Sequence, residues 1–326
     1  MVFTVEGSLF WTLVLFVLGL VFICIAGDKF VDASVAIATR LRIPQIVVGA
    51  TIVSIGTTLP EVLVSASAAL GKAASPEISI GNALGSIICN TAFIAGLGQL
   101  IHPTKNVQNS TIGWRLIFFM GTAVLLFGVT ALNQNVLPRW VGIVLLLGFV
   151  AYAILSVKKA GRAEAQPDED LNKVMGFPRA IIQLVLCAAL LYVGSNLLVE
   201  NGQLLAVDYL GVPERVVAVT MIALGTSLPE LVTTISSVLK GQADVGLGNI
   251  IGANLFNFLL VIGIPTAIAG NLPVSPSALW LDLPLALLVM LGLIVPMMIR
   301  KKGSRVQGAL LVLVYVGYCA YSFIAG

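Results

Sequence analysis

Gly56-Thr57-Thr58-Leu59-Pro60-Glu61 lies inside an apolar run, and the chain repeats it as Gly225-Thr226-Ser227-Leu228-Pro229-Glu230 in a second apolar run. A carboxylate at the centre of a bilayer costs about 2.5 to 3.5 kcal/mol even on lenient insertion scales, so such a residue is expected to face a polar cavity. Each glutamate also follows a proline, which has no N–H for the carbonyl four residues back and crowds that turn. The duplicated hexad therefore reads as two membrane helices, each locally opened beside an acid.

The surroundings fit a membrane setting. Of 326 residues, 58% are hydrophobic and 10% charged, and mean hydropathy is +1.03; soluble domains carry about 25% charged residues. Apolar stretches of about 20 residues fall near 9–26, 46–70, 78–100, 112–131, 136–157, 179–199, 214–239, 245–269, 277–299 and 307–324. The expected fold is an all-α integral membrane protein with ten transmembrane helices. Residues 1–8 hold no Lys or Arg, so the first stretch reads as a retained helix rather than a signal peptide.

The similarity extends past the hexads. Gly81-Asn82-Ala83-Leu84-Gly85-Ser86-Ile87-Ile88-Cys89-Asn90 is echoed by Gly248-Asn249-Ile250-Ile251-Gly252-Ala253-Asn254-Leu255-Phe256-Asn257. Pro44 precedes Glu61 by 17 residues, as Pro213 precedes Glu230. The long polar segment 158–178 divides the helices into five and five, giving a first repeat over 1–157, a cytoplasmic linker over 158–178 and a second repeat over 179–326. An odd number of helices per repeat inverts the second relative to the first, an arrangement that places transport sites at the membrane midplane.

Basic residues set the expected orientation. With the N-terminus outside, Arg40, Arg42, Lys158, Lys159, Arg300, Lys301 and Lys302 lie on the cytoplasmic side, while Lys72, Arg139 and Arg215 lie outside. The positive-inside rule then favours both termini outside, in a plasma (inner) membrane. A net charge of +3 spread over loops offers no patch for nucleic acid; the expected partners are the lipid bilayer and inorganic cations. Cys24, Cys89, Cys187 and Cys319 lack CxxC spacing and read as buried thiols. Asp28, Lys29 and Asp32 read as a local pairing near the end of the first helix.

Helical spacing gathers the polar groups. Ser54, Thr57, Thr58, Glu61 and Ser65 share one face of the second helix, and Ala223, Thr226, Ser227, Glu230 and Thr234 repeat it on the seventh. Asn82, Ser86 and Asn90 stripe the third helix; Asn249, Ala253 and Asn257 stripe the eighth. Four such stripes can enclose one cavity. Carboxylates, hydroxyls and proline-freed carbonyls are hard oxygen donors suited to Ca2+, with little to offer zinc or copper. Na+ or protons could share the same oxygens, and ions competing for one site produce exchange.

An enzyme is not expected: the single histidine, His102, stands in a loop beside Pro103 and leaves the membrane serines without a base. A passive cation channel would use similar groups, but inverted repeats favour a carrier.

The paired GT-[TS]-LPE hexads, each followed by GN-x-x-G-[SA]-x-x-x-N, resemble the sodium/calcium exchanger family of the cation/calcium exchanger superfamily, in its short prokaryotic form. The resemblance covers essentially the whole chain. It implies ten helices in two inverted repeats, ion sites between helices two, three, seven and eight, gating by helices one and six, and Ca2+/Na+ antiport without a cofactor. It also implies that Glu61 and Glu230 are the carboxylates shared by Ca2+ and Na+, and that Thr57 and Thr226 offer backbone carbonyls to Ca2+. Thr58, Ser227 and Ser86 match hydroxyls at flanking Na+ sites, Ser54 and Ala223 match carbonyl donors, and Asn90 matches the central asparagine. Two positions depart: Asn257 stands where an aspartate is common, and Ala253 where a serine hydroxyl would face Na+. The departures leave Ca2+/H+ exchange, or a K+ requirement, as variants of the same reading.

Overall fold

The computed structural model describes residues 8–70, 76–105, 107–159, 174–205, 209 and 225–325. Helix α1 spans Leu9–Leu41. Helix α2 consists of two segments, Gln45–Thr57 and Leu59–Leu70, with a 41° bend between them. Helix α3 runs from Pro76–Ile88 through a π-helical stretch, Cys89–Ala95, into Gly96–Ile101. Helices α4 (Asn109–Leu132), α5 (Arg139–Lys159) and α6 (Phe177–Leu204) follow. Then come α7 (Leu228–Leu239), α8 (Ala243–Ala269), α9 (Ala278–Arg300) and α10 (Arg305–Ala325). Among the described residues, seven helices are long and apolar enough to cross a membrane, and the bent pair of α2 makes an eighth. Residues 214–224, expected at the start of the seventh span, lie outside the described residues.

The bend in α2 falls where Pro60 requires it. Pro60 has no N–H to give the Gly56 carbonyl, and the helix breaks at Thr58. A broken backbone at membrane depth is tolerated where it is buried in protein or lines a cavity; Thr57, Thr58 and Glu61 are all buried.

Packing forms two apolar cores. The larger gathers residues of α3, α4, α5, α8, α9 and α10; the smaller joins α1, the first segment of α2 and α6. Apolar side chains cover much of the outer surface, as on Leu147 (63% exposed) and Leu313 (65% exposed), which suits contact with lipid. Loops pair across the molecule. Strand β1 (Val136–Leu137) pairs antiparallel with β2 (Leu272–Pro273), joining the α4–α5 and α8–α9 connections. The α3–α4 and α9–α10 connections meet through Val107 N to Lys301 O (2.9 Å) and Gly303 N to Thr104 O (2.9 Å).

Three expectations need correction. Helix α1 continues to Leu41 rather than ending near 26, because Asp28, Lys29 and Asp32 are solvated on one face while Phe30, Val31 and Ala33 remain buried. Their main partner is not local: Lys240, after α7, lies 2.7 Å from Asp28 and 2.6 Å from Asp32, against 3.9 Å for Lys29 to Asp32. Finally, Cys89 and Cys187 are buried, but Cys24 is exposed on the outer face of α1 and Cys319 half-buried.

Candidate functional site: a buried oxygen-rich centre

The bend in α2 and the start of α7 bring the two hexads together. Glu61 and Glu230 are both fully buried. Hydroxyls cross between them. Thr58 Oγ1 donates to Glu230 Oε1 at 3.2 Å, and Ser227, its counterpart, faces Glu61. The asparagines bind the two units the same way. Thr57 Oγ1 donates to Asn249 Oδ1 (3.1 Å), and Thr226 Oγ1 donates to Asn82 Oδ1 (3.3 Å). Each amide nitrogen then turns to its own half: Asn249 Nδ2 to Thr233 Oγ1 at 3.0 Å, Asn82 Nδ2 to Ser65 Oγ at 2.9 Å and to the Glu61 carbonyl at 3.2 Å. Asn82 and Asn249 thus hold the hexad threonines in place.

The centre is left with polar atoms that no protein group satisfies. Neither carboxylate oxygen of Glu61 completes a hydrogen bond, although Ser86 and Ser227 face it. Glu230 Oε2, Ser227 Oγ and both amide atoms of Asn90 and of Asn257 are buried in the same condition. Burying a polar group without a partner costs roughly 1 to 3 kcal/mol, and a charge far more. Native interiors pair such groups, so this concentration of bare oxygens is suited to a cation.

Local backbone explains how the amides arrive. Asn90 is the second residue of the π-helical stretch Cys89–Ala95, and Asn257 opens another, Asn257–Ile262, in α8. π-Helical turns recur at functional sites because the extra residue re-aims a side chain. The first segment of α2 carries a third such stretch, Gly49–Val53, directly before Ser54. Ser54 Oγ lies 2.7 Å from the Gly49 carbonyl and 2.9 Å from the Asn249 carbonyl, so its single proton is shared between them and ties α2 to α8. The helices meet backbone to backbone there: a Cβ on Gly252 would collide with Ser54 Oγ and the Ala50 backbone, and one on Gly248 with the Ile46 carbonyl.

Glu61, Glu230, Thr57, Thr58, Thr226, Ser227, Ser86, Asn90 and Asn257 are all buried in this structure, and Ser54 is buried just behind them. Ala223 lies outside the described residues. Ser86 Oγ sits 3.5 Å from Thr226 Oγ1, whereas Ala253, also buried, has no hydroxyl to offer Thr57. Two residues escaped the reading of the sequence: Thr233, which accepts from the Asn249 amide, and Ser195. Ser195 on α6 donates to the Gly225 carbonyl at 2.5 Å, taking up the acceptor that Pro229 frees. Its serine lies far away in sequence, and nothing in its local pattern marks it. Among the described residues no group of three or more His, Cys, Asp or Glu side chains forms, and the polar groups gathered here are those of acids, amides and hydroxyls.

Known proteins are similar to this chain over most of its length. The inner membrane protein YrbG of Escherichia coli (strain K12) is 35% identical over 84% of this chain and 85% of its own length. The sodium/calcium exchanger MaX1 of Methanosarcina acetivorans is 29% identical over 94% of this chain and 97% of its own. A structure of the sodium-calcium exchanger NCX_Mj, soaked with 10 mM Na+ and zero Ca2+, superposes with a TM-score of 0.78 at 29% identity, covering 95% of this chain and 98% of that one. The model of the sodium/calcium exchanger protein family matches twice, over residues 11–158 and again over 179–324. With both copies of its repeated unit matched, the chain belongs to the sodium/calcium exchanger family, whose members are cation transporters of the membrane.

Proposed function

We propose that this protein is a secondary antiporter that exchanges Ca2+ for Na+ by alternating access at one midplane site. The observation that carries the reading is the set of unsatisfied buried oxygens around Glu61 and Glu230. Two ionised glutamates balance the charge of one Ca2+, and the Thr57 and Thr226 carbonyls with the Asn90 and Asn257 amides extend the oxygen shell toward the six to eight ligands that Ca2+ takes. Thr58, Ser227, Ser86, Ser54 and Ala223 are assigned to flanking Na+ sites. Na+ entering the same carboxylates displaces Ca2+, and an empty site with two bare acids is too costly to cross the membrane. Exchange follows from that exclusion.

Ten spans in two inverted repeats, 1–157 and 179–326 with a linker between, are the architecture that goes with this mechanism. The double match of the family model supports it, as do the reciprocal Thr57–Asn249 and Thr226–Asn82 bonds. Loop pairing supports the ten-span topology, because the joined connections fall on common sides of the membrane; the orientation with both termini outside rests on the basic residues. The α4–α5 and α8–α9 connections, joined by β1 and β2, are then both external, and the bonded α3–α4 and α9–α10 connections both cytoplasmic. Bacterial and archaeal relatives agree with a plasma-membrane location.

The test is Ca2+ uptake by everted vesicles loaded with Na+, compared with vesicles carrying a pH or K+ gradient. The expected result is uptake driven by the Na+ gradient. Uptake indifferent to Na+ and driven by a pH gradient would replace the reading with Ca2+/H+ exchange, and flux without any counter-ion would indicate a channel.

A further inference from the structure

Behind the ion site, a polar chain runs through the protein from α4 to α2 and takes no part in the oxygen shell. Tyr152 on α5 is fully buried, and its hydroxyl donates to the Ala50 carbonyl at 2.8 Å. Arg115 on α4 is 1% exposed; its Nε donates to the Tyr152 oxygen at 3.3 Å and its Nη1 to the Thr111 carbonyl. A guanidinium has donors and no acceptor, so Tyr152 receives a hydrogen from Arg115 and directs its own single proton to Ala50. The direction of the chain is fixed by chemistry. The Trp114 ring lies 4.6 Å from the guanidinium and helps hold it.

Ala50 is not an ordinary helical residue. It lies in the π-helical stretch Gly49–Val53 that feeds into Ser54, Thr57 and Thr58, and its backbone is the surface against which Gly252 of α8 packs. The ring of Tyr152 also meets Phe256 edge-on, with centroids 5.7 Å apart, one residue before Asn257. Tyr152 therefore touches the approaches to the site on both α2 and α8. A π turn contains one residue more than an α turn, and its collapse would rotate the following residues by roughly 100° relative to Pro44.

We infer that Tyr152, oriented by Arg115, is a positioning residue for the ion site: its hydroxyl pins the π turn of α2 so that the Ser54 to Thr58 backbone faces the cavity. The inference rests on the exchange reading for the identity of the ions. Its test begins with the unmodified chain in vesicles under Na+ and pH gradients, and a lack of Na+-driven Ca2+ flux there counts against the exchange reading alone. With the coupling ion so identified, Tyr152→Phe, Arg115→Met, Arg115→Lys and the Tyr152→Phe/Arg115→Met double variant are compared.

Loss of one positioning hydrogen bond should raise the half-saturating concentration of the coupling ion by about two- to tenfold, with a smaller change in maximal rate per folded protein. Arg115→Lys, which keeps a donor, should stay nearer the wild type than Arg115→Met. The double variant should be no worse than the more impaired single variant, since both lesions break one chain. A wild-type half-saturation in Tyr152→Phe, additive losses in the double variant, or a loss confined to the amount of folded protein would each overturn the inference.

Discussion

Glu61 and Glu230 are buried to the same degree, but their partners differ. Glu230 receives the Thr58 hydroxyl, while both oxygens of Glu61 lack a completed bond. The clearest asymmetry lies one shell further out. Ser86 places a hydroxyl beside Thr226, and Ala253 places a methyl group in the matching position of α8. Ala253→Ser, made alone and with Asn257→Asp, should lower the half-saturating Na+ concentration by about two- to tenfold, the scale of one polar contact, and shift that for Ca2+ less. Parallel Na+ and Ca2+ titrations of Ca2+ flux would check this, and equal shifts for both ions would refute it. Apart from Thr233, the acids, hydroxyls and amides of this centre were readable from helical spacing, because a 3.6-residue period predicts which side chains share a face. Ser195 was not, since its contact with the Gly225 carbonyl depends on how α6 packs against α7.

At the level of the helices, the site depends on how tightly α2 and α8 are pressed together. Gly252 leaves no room for a methyl group beside Ser54 and Ala50. Gly252→Ala should therefore destabilise the protein by about 1 to 3 kcal/mol, the usual cost of overpacking, and abolish Ca2+ uptake by separating the Ser54–Asn249 contact. Thermal unfolding of the purified variant, read beside its flux, measures both effects; an unchanged melting temperature with normal flux would contradict the close contact. The existence of the helices and the break at Pro60 were legible, because apolar length and proline chemistry are local properties. The π turns at Gly49, Asn90 and Asn257 were not: composition does not distinguish them from α turns, and packing decides them. The length of α1 was misread for a related reason. Asp28, Lys29 and Asp32 look like a helix end, yet a helix can carry one solvated face beyond the bilayer core, here held by Lys240.

For the whole molecule, the twofold character of the sequence becomes a reciprocal network in space, in which the threonine of each hexad is held by an asparagine of the other half. In the proposed exchange mechanism, such a network would let a duplicated chain build one site rather than two. The central claim is that Glu61 and Glu230 jointly bind a single Ca2+, and calorimetric titration of the detergent-purified protein with Ca2+, in Na+-free buffer, addresses it without assuming any coupling ion. One Ca2+ should bind per chain, weakened by added Na+, and Glu61→Gln and Glu230→Gln should each remove binding while leaving the protein folded. Wild-type Ca2+ binding retained in either variant would contradict the shared site.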